Sequence, residues 1–174
     1  KPKDAIKNGI VYLSEERQNL GMTGLMSVKD NINMAIMDKN SKYLIIDKLK
    51  DLKNASSLQD KLNIKVSYWS QLAQSLSGGN QQKTVIAKWL STKPEIIILD
   101  EPTKGIDVRS KSAVHEFMGE LVESGMSIIM ISSELPEILG MCDRVVVMYK
   151  GLIKNILDVP KTSAEEIVKL ASGE

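Results

Sequence analysis

Ile96-Ile97-Ile98-Leu99-Asp100-Glu101-Pro102 is four apolar residues in a row, closed by two carboxylates and a proline. A strand apolar on both faces belongs in the middle of a covered, parallel sheet. Upstream, Val85, Ile86, Trp89 and Leu90 form a helical stripe that Pro94 stops. Downstream, Val114, Phe117, Met118, Leu121 and Val122 recur at the i, i+3, i+4, i+7 spacing of an amphipathic helix, and Gly125 is placed to end it. Ser127–Ile131 reads as a second buried strand and Arg144–Tyr149 as a third. Lys150-Gly151 turns that third strand into residues 152–156, a hairpin. Ile10–Leu13 is another short buried strand, and Ser163 with Glu166 is a capping box that opens a C-terminal helix. Strand–helix–strand alternation of this kind builds an α/β sheet with right-handed crossovers.

Between these parts, residues 25–75 lack any strong strand and read as a mostly helical insert. Ser27, with Asp30 three positions on, opens one helix. A second helical stretch places Ile45, Leu49 and Leu52 on one face, with Leu58 and Leu62 continuing the spacing. Met22, Met26, Met34 and Met37 read as adaptable packing residues.

Composition narrows the classes. In 174 residues, 23 Lys+Arg balance 22 Asp+Glu, for a net charge of +1, which argues against a nucleic-acid partner or a polybasic membrane surface. The single cysteine, Cys142, excludes an intrachain disulfide and a cysteine-built zinc cluster, and fits a reducing, cytosolic setting. No apolar run approaches the about 20 residues of a membrane span. The opening Lys1-Pro2-Lys3-Asp4 is not a signal peptide, and the missing initiator methionine suggests a fragment.

Three groups carry chemistry. Leu76-Ser77-Gly78-Gly79-Asn80-Gln81-Gln82-Lys83 lies where the helix of Trp89 begins. Free amides at a helix N-terminus, glycines that admit an anion and a serine hydroxyl make a phosphate site; an ordinary loop with a serine cap is the plainer alternative. Asp100-Glu101 follows the strand directly. At a strand's carboxyl end an Asp can hold Mg²⁺ through its water shell, and the next carboxylate can orient or deprotonate a water. The plainer alternative is helix capping and turn formation before Pro102. Asp107, in Gly105-Ile106-Asp107-Val108, taken alone is a helix N-terminal acid favoured by the helix dipole.

Together and in this order, the groups resemble the second half of an ABC-type ATPase. The wording of residues 77–83, 100–108 and 131–137, with Gly9 to Arg17, is similar to the C-terminal nucleotide-binding domain of a tandem simple-sugar import ATPase of the ribose/galactose type. The resemblance covers nearly the whole chain and is weakest between Asp38 and Gln74. It implies a P-loop NTPase-like, mostly parallel sheet with helices on both faces plus a helical subdomain. It divides the chain into residues 1–24 (first core strand and the segment equivalent to the Q-loop), 25–75 (helical subdomain), 76–158 (signature loop, Walker B, D-loop and switch core) and 159–174 (C-terminal helix). Ser77, Gly78, Gly79 and Asn80 become the signature loop, acting in trans on the ATP of a facing domain. Asp100 becomes the Walker B metal ligand, Glu101 the catalytic glutamate and Asp107 the D-loop aspartate. The implied cofactors are ATP and Mg²⁺. The implied partners are membrane permease subunits met by the helical subdomain, a second nucleotide-binding domain and a substrate-binding protein, at the cytoplasmic face of the membrane. Two other classes compete. A DNA-repair or chromosome-maintenance ATPase lobe would show sustained heptads before its signature, which this chain lacks. The other is a non-catalytic interaction fragment.

Three departures from the family pattern matter. The chain contains no Gly-x-x-x-x-Gly-Lys-Ser/Thr, so the first strands and phosphate loop are expected to be missing and the isolated chain to bind ATP weakly or not at all, without turnover. Ser133 stands where many relatives have a switch histidine, and the only histidine, His115, falls in the amphipathic helix pattern. Glu15 stands where many relatives have a glutamine and adds charge near the metal. The last two imply an atypical hydrolytic site in a longer parent.

Overall fold

The computed structural model describes residues 1–16, 20–42 and 45–173. Arg17, the last residue of the stretch from Gly9, lies outside the described residues. In chain order the elements are α1 (Pro2–Lys7), β1 (Ile10–Leu13), α2 (Val28–Asn33), α3 (Met37–Asn40), β2 (Ser41–Lys42), β3 (Ile45–Ile46), α4 (Lys48–Leu62), α5 (Gly78–Leu90), β4 (Ile96–Asp100), α6 (Val108–Glu123), β5 (Ser127–Ile131), α7 (Leu135–Met141), β6 (Arg144–Tyr149), β7 (Leu152–Asp158) and α8 (Ala164–Ser172). They form two compact units, Lys1–Ile131 and Ser132–Glu174.

The first unit is an α/β structure on a three-stranded parallel sheet in the order β1-β4-β5. β4 is central, as its unbroken apolar run requires. Ile97 and Leu99 point into the core with Val11 and Leu13 of β1, while Ile96 and Ile98 are half-buried on the other face. Val85, Ile86 and Leu90 of α5 are buried, as are Val114, Phe117, Met118 and Leu121 of α6. Val122, on the edge of the α6 stripe, is exposed. β5 departs from the buried strand expected of Ser127–Ile131. Ile129 and Ile131 are 53% and 48% exposed, because they lie opposite Ile98 and Asp100 on the outer face of the sheet, where Tyr12 of β1 is also exposed.

In the insert, Ser27 caps α2 by accepting the Asp30 N–H at 3.1 Å. The second helical stretch differs from its expected face. Ile45 is in β3, paired antiparallel with β2, and the helix begins only after Asp47, whose Oδ1 accepts the N–H groups of Leu49 and Lys50, each at 3.1 Å. That cap sets the helical phase, so Leu49 is 81% exposed while Asp51, Ala55 and Leu62 are buried. The buried Asp51 carboxylate is satisfied by Asn40 Nδ2 at 2.7 Å, and its carbonyl by Asn33 Nδ2 at 2.9 Å.

The second unit holds α7, the β6-β7 hairpin and α8. Arg144–Tyr149 is a strand and forms the expected antiparallel hairpin with β7, in a separate two-stranded sheet, but it is not a buried strand: only its Val147 is buried. Ser163 caps α8 by accepting the Glu166 N–H at 3.3 Å.

Candidate functional site

Parallel strands deliver their carboxyl ends to the same edge of a sheet, and β1 and β4 run parallel with Leu13 opposite Leu99. Glu15, two residues past β1, and Asp100, the last residue of β4, therefore share one edge. Glu101 follows in a left-handed conformation (φ 49°), a backbone state that costs a non-glycine residue about 1–3 kcal/mol. Its N–H donates to the Ile131 carbonyl at 2.8 Å and its carbonyl accepts the Lys104 N–H at 3.1 Å, so the ladder and a tight turn hold it there. Pro102 and Thr103 are buried inside that turn.

The turn brings Lys104 back over the acids. Its Nζ lies 2.5 Å from Glu15 Oε1. The hydrogen bond and charge of Glu15 first, then the charges of Glu101 and Asp100, raise the lysine's pKa above its ordinary value. The charge that Glu15 was expected to add is thus met by Lys104, a partner 89 positions away. Asp100 has a different neighbour. The Tyr12 hydroxyl donates to its Oδ2 at 2.6 Å, and this bond to a carboxylate is the main reason the Tyr12 pKa is raised. No other hydrogen bond reaches the Asp100 carboxylate among the described residues. Among those residues no group of three or more His, Cys, Asp or Glu is arranged to hold a metal. A single carboxylate at a strand end fits Mg²⁺, which keeps most of its waters and takes one or two carboxylates from a protein.

Ser77 is the N-cap of α5, but its side chain accepts no backbone N–H. Its Oγ accepts instead from Asn80 Nδ2 at 3.0 Å, while Asn80 Oδ1 accepts the Lys65 N–H at 2.9 Å. Both ends of the Asn80 amide are therefore occupied within the chain, and the exposed Ser77 hydroxyl keeps its own hydrogen to give. The first amides of α5 have no intrahelical acceptor, as at every helix start. An exposed donor beside such amides suits a phosphate. Gly78 is half-buried and Gly79 buried. A Cβ on Gly79 would come within 2.5 Å of Ser110 Oγ and 2.9 Å of Ser110 Cβ, so its missing side chain is used by α6. Ser110 is in turn held by Asp107: Oδ1 accepts its N–H at 3.1 Å and Oδ2 its hydroxyl at 2.7 Å. Those bonds, the hydroxyl's first, hold the Asp107 carboxyl below the usual carboxylate range. Asp107 is the N-cap of α6, and Ser110 links it to the start of α5.

Of the residues singled out in the sequence, Glu15, Asp100 and Glu101 gather at one sheet edge, and Ser77 to Asn80 meet Asp107 through Ser110. Ser133 is exposed and belongs to the other unit, in the segment leading into α7. Three participants went unseen in the sequence: Tyr12, Lys104 and Ser110. The alternation of β1 was a usable signal for Tyr12, since Val11 and Leu13 face the core and Tyr12 must face away from it.

The chain matches the ABC transporter family over residues 2–104. It is 47% identical over 172 residues to a xylose import ATP-binding protein of Thermoanaerobacter pseudethanolicus, covering 99% of this chain and 34% of that protein. It is 46% identical over 172 residues to a ribose import ATP-binding protein of Jannaschia sp., covering 99% of this chain and 33% of the relative. The chain thus spans about a third of the length of the curated relatives it matches. Its fold is similar, at a TM-score of 0.73 and 18% identity, to a dimeric ATP-binding cassette in a post-hydrolysis state bound to ADP and Pi, covering 88% of this chain and 64% of that one.

Proposed function

The chain belongs to the ABC transporter family, and on that premise we propose that it is the C-terminal part of an ATP-hydrolysing domain that drives import of a simple sugar. The observation that carries this reading is the exposed Ser77 hydroxyl at the start of α5, at a cap position whose side chain accepts no backbone N–H of its helix. The proposed arrangement is head to tail, with Ser77, Gly78 and Gly79 serving the ATP of a facing domain. Asn80 acts there by aiming the Ser77 hydroxyl.

Bound Mg-ATP would supply a terminal phosphoryl group for transfer to water. The chain's residues divide the remaining work. Asp100 would hold Mg²⁺ through its water shell. Glu101, fixed by its strained backbone, orients the attacking water and accepts its proton. Ser133 donates one neutral hydrogen bond and cannot titrate near pH 7. Glu15, neutralised by Lys104, sits beside the metal position, and Asp107 keeps α6 packed under the signature loop. Permease subunits, a second nucleotide-binding domain and a substrate-binding protein are the proposed partners, at the cytoplasmic face of the membrane. No helix among the described residues is long and apolar enough to cross a membrane.

The deciding experiment is Ser77→Arg in an intact parent protein. Loss of one preorganised donor at a developing charge costs about 10²–10³ in rate. Turnover should fall by that order with the melting temperature unchanged; unaltered hydrolysis overturns the assignment. The chain by itself, which contains no phosphate-loop motif, should bind Mg-ATP weakly or not at all and turn none over. A micromolar affinity in titration calorimetry would contradict that.

A further inference from the structure

Tyr12 lies opposite Ile98 in the parallel β1-β4 register. Side chains alternate along a strand, so with Val11 and Leu13 in the core, Tyr12 shares the outer face with Ile98 and Asp100. Asp100 is two residues beyond Ile98, roughly 6.6 Å along the strand at the usual rise. A phenol spans about that distance, which is how Tyr12, 88 positions away in sequence, delivers its hydroxyl to within 2.6 Å of Asp100 Oδ2. Both residues sit on laddered strands, so neither end of the bond depends on a loop.

Resting on the reading of Asp100 as the metal-holding carboxylate, we infer that Tyr12 is a positioning residue for it. Its hydroxyl holds Oδ2, restricts rotation of the carboxylate and leaves Oδ1 for the water shell of a divalent cation. A phenol does this without bringing a positive charge. Lys104, the nearby cation, is engaged by Glu15 at 2.5 Å. Carboxylates that bind metals are themselves hydrogen-bonded, and losing such an outer partner typically weakens metal affinity by about 10–100-fold.

The test uses this chain, Mn²⁺ as the probe and electron paramagnetic resonance to count free ion. Tyr12→Phe, which removes only the hydroxyl, should weaken Mn²⁺ binding by about tenfold or more. Asp100→Asn should abolish it, and adding Tyr12→Phe to Asp100→Asn should change nothing further. A second readout needs no metal. In chain labelled with 3-fluorotyrosine, the ¹⁹F resonance that disappears in Tyr12→Phe should shift in Asp100→Asn. Mn²⁺ affinity within twofold of wild type in Tyr12→Phe, with binding lost in Asp100→Asn, overturns the positioning role and leaves the metal reading standing. Binding untouched by Asp100→Asn overturns the metal reading, and the inference with it. A Tyr12 resonance indifferent to Asp100→Asn overturns the hydrogen bond itself.

Discussion

The N-termini of α5 and α6 meet at Gly79 and Ser110, and they are finished in opposite ways. Asp107 spends both carboxylate oxygens on Ser110 and closes its helix. Ser77 occupies the same structural position, but its side chain accepts no backbone N–H of its helix. Its oxygen is held from the side by Asn80, which is itself held by Lys65. One helix start is thus used to build the fold, and the other is supported by the fold and left open. A cap that is withheld forgoes local stability, which is the usual trade at a site that must meet something else.

Four measurements break or sharpen this contrast. The largest stability effect is expected at the point of contact. Gly79→Ala should destabilise the chain by about 1–3 kcal/mol in urea unfolding, because the new methyl has no space beside Ser110. Ser110→Gly in the same chain should recover most of the loss; a loss that persists would place its cause elsewhere. Next comes the comparison of two serine caps. Ser27→Ala removes a bond that is made and should cost about 1 kcal/mol, whereas Ser77→Ala should stay within about 0.5 kcal/mol of wild type. Equal losses would mean that Ser77 caps after all.

The third is a pH effect. The Asp107 carboxyl is held low in the folded chain, so its contribution is complete above the unfolded value of about 3.9 and is lost as pH falls through its lower folded value. Asp107→Asn should flatten that part of the acid melting profile, while Ser77→Ala leaves it intact. The smallest effect at neutral pH is at the far end of α5. Lys88 is buried, with its Nζ donating to the Gly21 carbonyl, and desolvation lowers its pKa. The folded state therefore disfavours the charged form, and stability should rise as pH climbs through the lowered value toward about 10.4. In Lys88→Met that alkaline rise should vanish from the urea midpoints; an unchanged rise would assign it to another lysine.

What could be read from the chain in advance follows the range of the interaction involved. β1, β4, the α6 stripe and the caps at Ser27 and Ser163 rest on neighbours within a few residues, and all appear where the pattern places them. Ile45 and Leu49 mislead because helical spacing was continued across Asp47, whose cap begins a new phase. β5 looks like β4 by composition, yet its Ile129 and Ile131 are exposed, since an apolar run does not state whether both faces of a strand are covered. At the candidate site the motif residues were visible as residue types in order, but their mutual bonds were not. The Tyr12–Asp100 and Lys104–Glu15 contacts join positions 88 and 89 apart.

The sequence by itself determined the strands β1 and β4, the stripes of α5 and α6, the caps at Ser27 and Ser163, and which carboxylates stand at the end of β4, because propensity, side-chain period and capping act over one or two turns. Only the tertiary structure decided that Gly79 makes room for Ser110, that Lys104 answers Glu15, and that Tyr12 holds Asp100. Those pairings arise from strand register and helix packing, which bring together atoms that the chain itself keeps far apart.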